Sequence, residues 1–130
     1  MKVRIINKSS NELPSYQTEA SAGMDLRAEL EKPVDLAPLE RAVIGTGLYM
    51  ELPAGFEAQV RPRSGRAATH GNRVLPSPAT TAADNRGDIG VILVHLSQDP
   101  VRIEPGERIA QLDNTRFEQA LWEEVDVHTQ

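Results

Sequence analysis

The run "RPRSGRAATHG", Arg61 to Gly71, holds the residues best suited to chemistry. Arg63 carries a planar fork of donors that matches phosphate oxygens two at a time. Ser64 adds a hydroxyl, and Gly65 lets a backbone amide come close to an anion at a helix start. Together they form an anion-binding set. Taken singly, Arg63 reads as a surface arginine and Ser64 as a helix cap. His70, His95 and His128 lie too far apart for metal-ligand spacing and read as structural or surface residues. With no cysteine, thiolate metal sites, thiol nucleophiles and disulfides are excluded. Glu123, Glu124 and Asp126 read as a solvated acidic stretch, and Trp122 as a packing anchor.

Such residues need a scaffold, and the sequence supplies short strands. Apolar runs such as "KVRII", "AVIGTGLYMEL", "GFEAQVRP" and "IGVILVHLS" recur between Gly, Pro, Asn and Asp signals. Phe56, Ala58 and Val60 alternate onto one face, as do Ile89, Val91 and Leu93. Nine prolines and nine glycines suit many short strands and few long helices. Only Ser64 to Gly71 could open a helix, with Ser64 as N-cap and Gly71 beyond the end. The 130 residues therefore predict one all-β domain, a sandwich or barrel with one short helix. Aromatics make up 4%, so aliphatic side chains must fill the core. A net charge of -5 argues against binding a nucleic acid polymer. No apolar run approaches the ~20 residues of a membrane span, and no signal-peptide core appears, so the expectation is a cytoplasmic protein.

Three segments in order, "AGMDLRA" (22–28), "RPRSGRAATHG" (61–71) and "GERIAQL" (106–112), resemble the trimeric dUTP diphosphatase (dUTPase) family. "SPATTAADNRGDIGVIL" stands where that family carries its nucleotide-binding hairpin. The resemblance spans essentially the whole chain. It implies a jelly roll or distorted β-barrel, a homotrimer with sites between subunits, and hydrolysis of dUTP to dUMP and pyrophosphate with magnesium. By resemblance, Arg63, Ser64, Gly65 and Gln111 face the phosphates. Asp25 resembles the carboxylate near the magnesium, an ion that keeps waters and is reached through few carboxylates. Read without the family, Asp25 is a turn residue and Gln111 a strand residue with a solvated amide.

The hairpin departs from the family's usual "SPGTIDADYRG". Ala82 stands at the position of the carboxylate that activates water, and a methyl group accepts no proton. Asp84 survives two positions on, at a different depth along the strand, and is no obvious substitute. Asn85 replaces the tyrosine under the deoxyribose. Pro76 replaces an asparagine near the uracil, and Ala79 a glycine close to the base. The family's Gly-rich C-terminal arm is absent from these 130 residues.

A second set of departures comprises Arg66, Asn72, Arg73, Thr81, Asp113, Asn114 and Thr115. "DNT" would by local propensity stop a strand, so these positions are expected to mark one remodelled interface. The resulting expectation is a catalytically inactive homotrimer. It would serve as a scaffold or interaction component, engineered or diverged, for a second protein or a designed assembly. It would require no cofactor. The alternative is a dUTP diphosphatase using magnesium.

Overall fold

The computed structural model describes residues 2–63, 74–76, 79–81, 87–96 and 98–127. Along the chain run β1 (Arg4–Asn7), β2 (Gly23–Arg27), β3 (Val34–Leu36), β4 (Arg41–Glu51) and β5 (Phe56–Arg61). They are followed by β6 (Val74–Pro76), β7 (Ala79–Thr81), β8 (Asp88–His95), β9 (Val101–Ile103) and β10 (Arg108–Arg116). One sheet has the order β1-β4-β8-β6, the other β2-β10-β5-β7, and β3 pairs with β9 in a ribbon. Every pairing is antiparallel. The architecture is the expected all-β one. Among the described residues there is no helix; the stretch from Ser64 to Gly71 lies outside them.

The core follows from alternation. Ile89, Val91 and Leu93 of β8 are buried between more open neighbours. Ala58 and Val60 of β5 do the same, with Leu26, Ala110 and Leu112 of the flanking strands. These join Ile44, Leu48 and Met50 of β4 in one aliphatic cluster, as an interior poor in aromatics requires. Pro76 sits on β6, at the end of its sheet's strand order, the position where a strand proline is tolerated.

The long β4 is bent by a bulge between Gly45 and Tyr49. Asp88 secures it: its Oδ1 accepts from the Gly47 amide at 3.0 Å, while Thr46 Oγ1 donates to the Ile89 carbonyl at 2.7 Å. Gly47 has φ 72°, and a Cβ there would press on Ser9. That is glycine's use in a bulge.

Two local readings change. Asp113, Asn114 and Thr115 do not stop the strand; β10 runs through them because β5 supplies a ladder partner for each, and β2 adds Gly23 opposite Asp113. Nor do they share a face. Asp113 and Thr115 point to one side and Asn114 to the other, against an apolar recess lined by Ile5, Met24, Met50 and Leu112. One flat face presenting all three side chains is thus excluded by the pleat.

His95 is fully buried at the end of β8, and neither ring nitrogen has a partner among the described residues. An unpaired buried donor is costly. Replacing His95 with leucine, of similar volume and without polar atoms, is expected to raise the unfolding free energy by about 1–3 kcal/mol. Urea denaturation measures this, and a loss of stability would show that the imidazole is bonded in solution.

Candidate active site

The outer face of the β2-β10-β5-β7 sheet gathers the polar side chains. Alternation places Gly23, Asp25 and Arg27 of β2 outward while Leu26 turns into the core. Cross-strand register then sets Gln111 between Asp25 and Arg61, and Asp113 between Gly23 and Gln59. Arg108 lies opposite Arg27.

Asp25 is the hub. Arg63, just beyond β5, donates through Nε to Asp25 Oδ1 at 2.9 Å and through Nη2 to Oδ2 at 3.2 Å. This is the two-pronged geometry that guanidinium makes with carboxylate or phosphate. Both side chains are mostly withdrawn from water, at 14% and 18% exposure. Arg108 Nε stands 3.7 Å from the same Oδ2. Arg27 spends one donor on the Gly106 carbonyl, 2.9 Å away. Beside this hub, a cavity of about 180 Å³ opens between the loop 9–17 and Arg27 and Arg108.

The second acidic point is Asp113, which is buried. Gln111 Nε2 donates to its Oδ1 at 3.0 Å, and Arg61 Nη1 lies 3.6 Å from its Oδ2. Arg61, Arg63 and Arg108 thus lie near Asp113 and Asp25, with Arg27 opposite Arg108, so four arginines outnumber Asp25, Asp113 and Glu57 on this face of a chain of net charge -5. Such a face can hold an anion with several oxygens, focused by the low-dielectric wall behind it.

Of the residues singled out from sequence, Asp25, Arg63 and Gln111 are brought together here. Asp25 and Arg63 hold each other, so Arg63's fork is occupied by a carboxylate where the resemblance assigns it phosphate. Ala79 pairs with Val60 and Thr81 with Ala58 on β7, at the edge of this same sheet. Pro76 pairs with Leu93 in the other sheet, close in sequence but across the strand crossing. Ser64, Gly65, Arg66, Asn72, Arg73, Ala82 and Asn85 lie outside the described residues. Arg27, Arg61, Arg108 and Gly23 were not singled out. Their signal was the period-two spacing Gly23, Asp25, Arg27, which becomes meaningful only with the register against β10.

Trp122 is no anchor within its own chain. It is 95% exposed, and Leu121, Val125 and Val127 are exposed with it on the segment beyond β10. Glu123, Glu124 and Asp126 are exposed, as read. No helix among the described residues is long and apolar enough to cross a membrane.

A family model for dUTPase matches residues 9–129. The chain is 52% identical over 124 residues to the deoxyuridine 5'-triphosphate nucleotidohydrolase of Cytophaga hutchinsonii, covering 95% of this chain and 80% of that one. It is 46% identical over 130 residues to the protein of that name from Rickettsia akari, covering 100% and 88%. Among solved structures, the dUTPase of Staphylococcus bacteriophage 80alpha superposes with a TM-score of 0.86 at 21% identity, covering 99% of each chain. The fold is therefore shared even where few residues are.

These relationships overturn the expectation of a catalytically silent scaffold. That reading weighed a handful of departures in one hairpin above the rest of the chain. Identity of about half, sustained over nearly the full length with proteins named for dUTP hydrolysis, favours the alternative reading instead. Nothing among the described residues points to an engineered assembly or a second protein. The chain belongs to the dUTPase family.

Proposed function

We propose that this protein is a dUTP diphosphatase acting as a homotrimer. The observation that carries the reading is the Asp25–Arg63 fork with Gln111 beside it on one cationic face, in a chain so similar to named dUTP nucleotidohydrolases. In the reaction, water forms a new P–O bond and the phosphoanhydride bond between the α and β phosphates breaks. Pyrophosphate leaves with the bonding electron pair, and the proton of the attacking water is released.

Arg63, Gln111 and Arg61 supply donors suited to the phosphate oxygens, with Ser64 and Gly65 alongside by resemblance. Among the described residues, no group of three His, Cys, Asp or Glu side chains is gathered to hold a metal. A single carboxylate, Asp25, fits magnesium, which favours a few carboxylates, waters and substrate phosphates over an all-protein cage. When bound, the ion would neutralise charge developing on the phosphates. Asp25 would be the residue that holds such an ion through its water shell, with Arg63 beside it as a phosphate donor by resemblance. Ala82, at the family's base position, leaves the proton to solvent and slows this same chemistry.

Self-association has its own support. The apolar side chains of Leu121, Trp122, Val125 and Val127 are exposed, and exposed apolar groups gathered in this way mark contact surfaces. The test is pyrophosphate release from dUTP with magnesium, alongside dCTP and dTTP, on a sample sized by sedimentation. Release favouring dUTP from a trimer is expected. No release above the uncatalysed rate, at micromolar chain concentration, would sink the proposal.

A further inference from the structure

We infer that Asp113 is the positioning residue for Gln111, fixing the amide that meets the phosphates. The inference rests on reading this face as a polyphosphate site. Three observations converge on it. First, Asp113 is buried, and its one side-chain hydrogen bond among the described residues comes from Gln111 Nε2, 3.0 Å from Oδ1, while the Arg61 guanidinium makes a longer ion pair, with Nη1 3.6 Å from Oδ2. Second, Gln111 and Asp113 are two apart on β10, so the pleat sets them side by side on one face. Third, Gly23 is the floor beneath them. A Cβ at residue 23 would overlap both Asp113 Oδ1 and Gln111 Nε2, so the pair lies flat over bare backbone.

A glutamine side chain has three rotatable bonds, and ordering it costs entropy each time a ligand binds. A charge-assisted bond to a carboxylate that Arg61 already holds pays that cost before binding. An amide has two N–H groups, so one can stay on Asp113 while the other faces an anion. Glu57 extends the same row: Gln59 Nε2 donates to its Oε1 at 2.8 Å, next to Asp113 across the strand.

The test uses the full chain and inorganic pyrophosphate with magnesium, measured by calorimetry, together with dUTP turnover. Asp113→Ala is expected to weaken pyrophosphate about tenfold, and to raise KM for dUTP alike while kcat stays within about twofold. Asp113→Asn keeps an acceptor for Gln111 and is expected to restore most of the affinity. In a Gln111→Ala background, removing Asp113 is expected to add nothing further. Wild-type affinity for pyrophosphate in Asp113→Ala would overturn the inference. So would tighter binding in Asp113→Ala and Asp113→Asn, which would make Asp113 a rival of the phosphates.

A further readout needs no turnover. The Gln111 side-chain amide protons, followed by NMR, are expected to shift on Asp113→Ala and to recover in Asp113→Asn. Were the wild-type chain to bind no pyrophosphate and hydrolyse no dUTP, the proposed function would fail, and this signal would still decide the Asp113–Gln111 contact. An unmoved signal would overturn the inference by itself.

Discussion

Ala82→Asp is expected to raise kcat for dUTP by about 10²–10⁴-fold, the range a positioned general base contributes. The reason is local chemistry on an otherwise similar chain. By resemblance, position 82 is where the family's sequence carries the water-activating carboxylate, and a methyl group accepts no proton. KM is expected to move little, because Arg63, Gln111 and their neighbours are untouched. Ala82→Asn separates the base from mere polarity, since an amide can hold water yet takes up no proton. It is expected to give at most a few-fold change. The pH profile supplies a second check. A carboxylate base acts when ionised, so the added rate should be present at neutral pH and fall away as the solution is acidified toward the ordinary aspartate range near ~4. Should Asp and Asn behave alike, position 82 would have no role in proton transfer.

The parts of the fold that were legible beforehand are those where burial and alternation agree. Ile89, Val91 and Leu93 repeat every second residue, and so do Phe56, Ala58 and Val60, because each strand has one face in the core. The "DNT" run was misread as a stop because turn propensity is local, whereas these residues are held by pairing with β5, far away in sequence. The same non-locality hid Arg27, Arg61 and Arg108. An arginine every few residues says nothing until register brings it beside Asp25 or Asp113. Trp122 was misplaced for a related reason: an aromatic near a chain end implies a contact without saying to which chain. Asp25, Arg63 and Gln111, which the structure brings together, were legible through their ordered motifs. The error was to let one hairpin outweigh them.

The second large effect concerns the fork itself. Arg63→Lys keeps a positive charge near Asp25 but replaces two fixed, parallel donors with a single mobile ammonium. The loss in kcat/KM for dUTP is expected to be about 10²-fold, the scale of removing one preorganised donor from a developing charge. Folding should suffer far less, because a lysine can still reach the carboxylate and Arg108 stays 3.7 Å from it. Thermal unfolding of the variant therefore tells a lost donor from a lost fold. Asp25→Asn removes the other half of the pair, and on its own should also cost activity, since an amide neither draws in magnesium nor orients Arg63 as strongly. If the two residues act as one unit, the double variant is expected to be little worse than the poorer single one. Losses that multiply instead would mean that Asp25 and Arg63 serve the reaction separately, and that their contact in the free protein is only a resting arrangement.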